Sequence, residues 1–506
     1  MRTQKMIYNT IAKLAQRYLS YVLIFISRTI FIKTLGQTYW GINSLFADIF
    51  MMLSLMELGV GGALTYFMFE PISNGDNERV KTLMHLYRKI YSVVGVTVTL
   101  IGLILVPFLP QIVNSPTKIT DLNVIYILLL ANVSLSYFFS YKRSIFVADQ
   151  RDYVNSLVDL AFSLFRSTLQ IIFLITTKNF IIYLISDLCV TLISNIYISM
   201  RANKEYPFLK EKNIQSITKK DKIHIFSRIR AIFSHKLGTV VVYGTDNLLI
   251  SLLVGVNFVG IYGSYRLVIN FIQSPIDQIF NSMTASIGNL AAKEGNEYSY
   301  TVFKRVFFLN MFIISFSSIC LYFLINPFIT IWIGENFLLN QAFVFIIVSN
   351  FFISGSRQTS LAFSQAKGLF WNTRYKPIIE AIVNLISSII LGKLLGPIGI
   401  VLGTLVSFIL TSFWVDAYVV FKNWFGISFI EYIKTFLRYF FNTFLVGGVL
   451  HVLLVYVLGD NLIFIGRFII VVLFTLFMFL ALTYKTDEFK YYINLLKQVI
   501  KKRKEK

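Results

Sequence analysis

The stretch TLGQTYWGINSLFADIFMMLSLMELGVGGALTYFMF, Thr34 to Phe69, is apolar enough to cross a bilayer and yet holds two carboxylates, Asp48 and Glu57. An ionisable group at mid-membrane costs about 2.5–3.5 kcal/mol, so by default it faces a partner or a wet cavity. Asp48 and Glu57 stand nine residues apart, which in a regular helix sets them on opposite faces. They share one face only if the helix is interrupted. Gly59, Gly61 and Gly62 make such a break plausible, because glycine weakens a helix interior.

Apolar runs of this kind recur along all 506 residues, which are 56% hydrophobic and only 14% charged. A soluble chain of this length carries more charge than that. The expected fold is therefore an all-α integral membrane protein. Reading apolar runs and polar breaks gives about fourteen spans. The first two run over 7–32 and 40–69, the seventh and eighth over 236–254 and 258–290, the tenth over 338–366. The first run is too long for a signal-peptide core and is expected to stay as a span.

With the N-terminus in the cytoplasm, most of the 47 Lys and Arg residues fall on the inner side, as positive-inside bias requires. Lys33, Lys118, Lys178 and Lys393 are the outer exceptions. Both termini are then cytoplasmic. The net charge of +22 reflects topology and attraction to anionic membrane lipids, and calls for no nucleic-acid partner. In the tail, Phe489, Ile493, Leu496 and Ile500 share a helical face with lysines opposite, the pattern of a helix on the membrane surface. Cys189 and Cys320 sit in apolar runs and read as small buried hydrophobes. The four histidines form no metal-binding spacing, so no metal or other cofactor is expected.

The opening stretch is said twice. Shifted by 219 positions, the interval from Gly36 to Gly255, LGQTYWGI (Leu35–Ile42) lies over VGVNFVGI (Val254–Ile261). Arg17 then falls on Lys236, Ser20 on Thr239 and Arg28 on Asn247. The chain reads as two copies of a six-helix bundle with two spans added. Its expected parts are 1–200 (spans 1–6), a basic cytoplasmic loop 201–235, 236–421 (spans 7–12), 422–484 (spans 13–14) and a basic tail 485–506. A repeat with an even number of spans enters the membrane in one direction. Its copies relate by an axis along the membrane normal, with the substrate path between them.

Polar residues recur at helical spacing inside the spans. Span 1 offers Thr10, Lys13, Arg17, Ser20, Tyr21 and Arg28. Span 5 offers Asp159, Ser163, Arg166 and Gln170; span 7 offers Lys236, Thr239, Tyr243 and Asp246. Span 8 has the most regular stripe, Arg266, Asn270, Gln273, Asp277, Asn281 and Thr284. Span 10 gives Asn350, Ser354, Arg357 and Ser364. Ser, Thr, Asn and Gln often only bind helices together. Arg28, Arg166, Arg266 and Arg357 invite a stronger reading, because the guanidinium grips phosphate through paired hydrogen bonds. The carboxylates Asp48, Glu57, Asp246, Asp277, Glu380 and Asp416 either neutralise those arginines or bind a coupling cation.

The stretch LG-x-x-x-x-GINSLF…LSLMELGVGGALTY, followed by EPISNGDNERVKTLMHLYRKIY, resembles the polysaccharide-transporter family of Wzx-type flippases. That family shares a superfamily with multidrug-and-toxin exporters and the lipid II flippase. The resemblance is sharpest over residues 35–95. It implies a monomeric flippase of the bacterial cytoplasmic membrane, rocking between inward-open and outward-open forms. The substrate would be undecaprenyl-pyrophosphate-linked glycan, its headgroup crossing a cationic cavity while the lipid tail stays in the bilayer. Spans 13–14 would line a groove for that tail, and a polymerase and other glycan-assembly proteins would be partners. Under this resemblance Arg17, Arg28, Arg166, Lys236, Arg266 and Arg357 contact the headgroup, and Asp48, Glu57, Asp246 and Asp277 serve coupling or gating.

Two rivals stand beside it. A multidrug exporter wants a carboxylate-dominated cavity. A membrane polymerase wants a large outer loop with catalytic groups, whereas outer connections such as VPFLPQIVNSPTKITD are short and poor in acid/base pairs. No G-x-x-x-x-G-K-[ST] loop for ATP is present, and no enzymatic activity is expected.

Overall fold

In the computed structural model the described residues are 2–57, 59–115, 119–211, 213–215, 217–369, 371–459 and 463–504, and among them the regular structure is helical with no strand. Counting helices of eight residues or more, the first unit holds α1 (Arg2–Leu53), α2 (Val60–Asn74), α3 (Asn77–Leu105), α4 (Leu122–Ser140), α5 (Tyr153–Thr177), α6 (Phe180–Glu205) and α7 (Lys219–Leu253). Helix α8 (Val256–Lys293) begins in this unit, Met1–Gly263, and continues into the second, Ser264–Lys506. The second unit adds α9 (Asn296–Ile333), α10 (Gln341–Ser356), α11 (Gln358–Ala366), α12 (Lys376–Leu395), α13 (Pro397–Ser407) and α14 (Phe413–Val420). It closes with α15 (Phe429–Val452), α16 (Phe464–Thr483) and α17 (Asp487–Lys504).

Ten of the described helical segments are long and apolar enough to cross a membrane. The chain is a multi-pass membrane protein. The other expected spans are those in which polarity or a break lowers the apolar score. Helices α7 and α8 carry polar stripes; α10 ends at Arg357, after 16 residues; and spans 1 and 2 follow one another with only the kink at Gly36 between them.

The expected break at 33–39 is present, narrowed to one residue: Gly36, with φ 87° and ψ 178°, divides α1 into two helices that follow one another across a kink. Its repeat mate Gly255 also has positive φ, at 130°. Both occupy backbone that L side chains rarely adopt, which is why glycine stands at each. The second expected break is present. After Leu53 the chain tightens into a 3-10 turn, Ser54–Glu57, and Gly59 takes φ 91° before α2 begins.

The expected loop 201–235 is also shorter than read. A 3-10 turn covers Pro207–Lys210, and α7 starts at Lys219, its first turn capped by the Thr218 side chain accepting from the Asp221 amide. A side-chain oxygen there satisfies a donor that has no partner within the helix. Helix α7 packs on α1 and α2, so the first compact unit reaches past residue 200. Cys189 is exposed on α6, not buried; Cys320 is half-buried. The tail helix α17 is held to α9: Tyr492 stacks on Phe308 at 6.0 Å and its hydroxyl donates to the Arg305 carbonyl.

Asn114 and Asn213 are both exposed and lie in connections expected on opposite sides. A cysteine placed at Asn114 should react with an impermeant maleimide on intact cells, and one at Asn213 only after permeabilisation. Equal labelling at both without permeabilisation would overturn the orientation.

Candidate functional site

The repeat meets itself in the first unit. A Cβ built on Gly41 would lie 2.1 Å from the Val256 carbonyl oxygen and 3.1 Å from the Gly260 amide. One built on Gly260 would lie 2.5 Å from the Gln37 carbonyl oxygen. Gly41 and Gly260 are equivalent under the 219-residue shift. So are Thr38 and Asn257, whose side chains bond at 2.7 Å, and Ser44 and Gly263, where a Cβ on the glycine would stand 3.0 Å from the serine hydroxyl. Positions equivalent under the shift therefore touch where α1 and α8 cross, and glycine permits backbone contact there.

Around this crossing the ionic groups are engaged. Asp48 accepts from the Asn247 amide at 2.8 Å, and Asn247 is the repeat mate of Arg28. Asp246 accepts from the Tyr262 hydroxyl at 3.3 Å. Glu57, at the break after α1, accepts from the Tyr91 hydroxyl, which in turn accepts from Tyr87 at 3.3 Å. Asp48 and Glu57 thus have separate partners on separate helices.

Arg28 lies with its guanidinium carbon 3.4 Å from the centre of the Trp40 ring. One of its terminal nitrogens is buried with no hydrogen-bond partner. The cation–π contact offsets part of the burial. Trp40 belongs to an aromatic group in which Phe31 bridges to Tyr183 of α6 at 5.2 Å. Four residues further along α6, Asp187 pairs with Arg166 of α5 at 3.2 Å. Asn132 of α4 donates to Asp187 at 2.5 Å, Gln170 donates to it at 3.3 Å, and Arg166 also reaches the Thr191 hydroxyl at 3.0 Å. Tyr183, Asp187 and Thr191 share one face of α6 at four-residue spacing. This is a built polar site inside apolar helices.

Arg166 and Gln170 are among the residues expected from helical spacing, whereas Asp187 and Asn132 are not. Asp187 nevertheless keeps four-residue spacing with Tyr183 and Thr191, and Asn132 with Ser136, so the same spacing read along α6 and α4 points to them. The expected stripe in span 5 also divides: Asp159 pairs with Arg143 at 2.6 Å and does not join Arg166. Arg17 is half-buried on α1. The side chains of Lys236, Thr239, Tyr243 and Thr10 lie outside the described residues, so the expected pairing of Arg17 with Lys236 does too.

The second unit holds its own ionic groups. Arg357, between α10 and α11, pairs with Glu380 of α12 at 3.5 Å, the side chains 17% and 7% exposed. One turn back on α12, Lys376 pairs with Asp416 of α14 at 2.6 Å. Asp416 thus neutralises Lys376 rather than an arginine. Asp277 accepts from Gln273 at 2.7 Å and from Gln358 at 2.9 Å. Arg266 is half-buried on α8 and engaged by neighbours.

No protein-family model matches the sequence, and no curated protein matches it. Solved structures do. The lipid II flippase MurJ in an inward closed conformation superposes with a TM-score of 0.69 at 16% identity, over 96% of this chain and all (100%) of that one. An inward-facing multidrug resistance MATE family transporter of the MOP superfamily gives 0.62 at 16% identity, over 81% of this chain and 98% of its own. A MOP superfamily transporter from Pyrococcus furiosus, described as having a binding pocket of reversed polarity, gives 0.55 at 15% identity, over 83% of this chain and 96% of its own. The chain has the fold of MOP superfamily transporters.

Proposed function

We propose that this protein is a flippase that carries undecaprenyl-pyrophosphate-linked oligosaccharide units across the bacterial cytoplasmic membrane by alternating access, for cell-surface polysaccharide assembly. The observation that carries this reading is coverage. The match to the lipid II flippase takes in 96% of the chain, whereas the multidrug transporters take in 81–83%. Two helices beyond a twelve-span core are what such a difference leaves over, and a lipid-tailed substrate gives them a use.

The chemistry supports the same reading. A pyrophosphate leaving water needs charge-assisted donors, and arginine presents them as a planar fork. Arg28 holds a buried nitrogen without a hydrogen-bond acceptor. Arg17, Lys236 and Arg266 are proposed to meet the headgroup with it. Arg166 and Arg357 are each paired with a carboxylate, so a phosphate reaching them competes with Asp187 or Glu380. Headgroup entry would then open an ion pair, and the freed carboxylate would signal occupancy. Asp48, Glu57, Asp246 and Asp277 are proposed for coupling or gating, since each accepts a hydrogen bond from another helix or from a break.

The intramembrane carboxylates favour one second reading, a cation-coupled multidrug exporter. Binding measurements separate the two: the purified protein should retain a polyprenyl-pyrophosphate-linked glycan and ignore lipophilic cations. In a flippase-null strain, Arg266→Ala should lose glycan export while its membrane abundance holds, and Arg266→Lys should keep part of it. Parental export by Arg266→Ala would remove that residue from the substrate path.

A further inference from the structure

Helix α12 is apolar outside and polar inside. Tyr375, Ile379, Ile382, Ile386 and Ile390 recur at three- and four-residue spacing on one face, and each is half-exposed or more. Glu380, Asn384 and Ser388 are buried on the opposite face, where Lys376 pairs with Asp416. A helix with its polar side turned inward presents its apolar side to hydrocarbon. Its 20 residues rise about 30 Å, the thickness of a bilayer core. Tyr375, just before the first turn, therefore stands at headgroup depth. Lys393, exposed near the other end, marks the opposite boundary.

A turn built around a cation occupies that depth. Trp371 is 74% exposed and Tyr375 61%. The guanidinium carbon of Arg374 lies 4.0 Å from the centre of the Trp371 ring and 4.6 Å from that of Tyr375. Its Nη1 donates to the Trp371 carbonyl at 2.8 Å, and among the described residues it pairs with no carboxylate. Thr373 is buried, and its carbonyl accepts from the Lys376 amide at 3.1 Å. The turn is thus fixed to the body of the unit while both rings project from it. The rings hold the guanidinium by its face, which leaves the planar fork at its edge for an acceptor.

We propose that Trp371, Arg374 and Tyr375 form a phospholipid anchor: the two rings seat in the headgroup layer, and Arg374 binds a lipid phosphate. Tryptophan and tyrosine gather at this depth because each joins an apolar ring to a polar group. A phosphate there is the acceptor that matches a guanidinium through charge-assisted hydrogen bonds. A water-soluble acidic partner would not cover the isoleucine face that continues from Tyr375, whereas a lipid covers both. The anchor sets the depth at which α12 holds the Lys376–Asp416 pair. The proposal is independent of the transported substrate.

The test reads the emission of Trp371 in the full-length protein. The chain has five tryptophans, so the Trp371 signal is the difference between each protein and its Trp371→Phe counterpart. In phosphatidylcholine vesicles, lipid brominated near the headgroup should quench that signal more than lipid brominated at the chain end, and aqueous acrylamide should quench it little. In maltoside micelles, brominated phosphatidylglycerol should act at about one-tenth the concentration that brominated diacylglycerol needs, the ratio one charge-assisted hydrogen bond supports. Arg374→Gln should close that gap, Arg374→Lys should keep part of it, and both should melt like the parent. Inorganic phosphate should not reverse the quenching. Stronger quenching by acrylamide than by lipid would put the turn in water. Protection from both would mean that a second copy or another protein covers it. Either result, equal potency of the two brominated lipids in the parent, an unchanged gap in Arg374→Gln, or reversal by inorganic phosphate would overturn the proposal.

Discussion

Lys376→Ala should destabilise the second unit by about 3–5 kcal/mol, because it strands a buried carboxylate. Asp416 is 1% exposed and Lys376 9%, and their charged atoms stand 2.6 Å apart. Two π-turns, Phe408–Ser412 and Phe421–Phe425, bracket α14 and fix where Asp416 points. A loss of that size is a large share of a typical total stability of about 5–15 kcal/mol. Most of the variant should therefore vanish from the membrane, and the remainder should melt well below the parent in detergent. Lys376→Met with Asp416→Leu removes both charges and should recover much of the loss, since a well-packed apolar pair replaces a buried ion pair at little cost. A parental melting temperature for Lys376→Ala would show that Asp416 is protonated or hydrated, and the pair is then not what holds α12 to α14.

Gly41→Val should have the largest effect on transport. Its Cβ would stand 2.1 Å from the Val256 carbonyl oxygen. That neighbour is backbone, so no change of side-chain rotamer relieves the overlap, and α1 and α8 must separate. Gly260→Val meets the Gln37 carbonyl in the same way, at 2.5 Å. Both variants should lose export, and both should lose a disulfide engineered between Thr38→Cys and Asn257→Cys, whose parent side chains touch. In the otherwise parental protein that disulfide should form readily, arrest export, and release it on reduction. Export that continues through the closed disulfide would mean the crossing stays shut throughout the cycle and takes no part in gating.

This crossing is the most legible part of the fold. Two glycines and an isoleucine in register give the 219-residue shift, and two of those glycines, Gly41 and Gly260, stand where the backbones of α1 and α8 approach most closely. The break at Gly59 is legible for a similar reason: Asp48 and Glu57 cannot share one face of an uninterrupted helix. Boundaries are harder. Polar residues at 33–39 suggest a loop, and the break there is confined to Gly36, whose non-helical backbone joins the two helices of α1 at a kink. The segment from Lys219 to His235 reads as loop because it is basic, although α7 begins there with a Thr218 cap.

Of the ionic groups, the arginines are legible in the sequence and their partners are not. Arg166 and Arg357 stand out because a cation in an apolar span is costly wherever it points. Asp187 sits in another helix, on a face with Tyr183 and Thr191, and only the packing of α4, α5 and α6 brings it to Arg166. Glu380 reads as a possible neutraliser, and it does pair with Arg357. Asp416 reads likewise, but its partner Lys376 draws no attention because it precedes Pro377 at the start of a helix. Pairing across helices is a property of tertiary structure, and a single chain read in one dimension does not contain it.

Movement of a lipid-linked oligosaccharide is measured most directly in proteoliposomes that hold the purified protein and polyprenyl-pyrophosphate-linked glycan. Glycan on the outer leaflet is read by a lectin that cannot cross the bilayer. The parent should bring lumenal glycan to the lectin. In the double variant Thr38→Cys, Asn257→Cys, the closed disulfide should prevent this until reductant is added. If lectin-accessible glycan stays at the level of protein-free vesicles while the same vesicles move a lipophilic cation, the chain is a cation exporter and not a flippase.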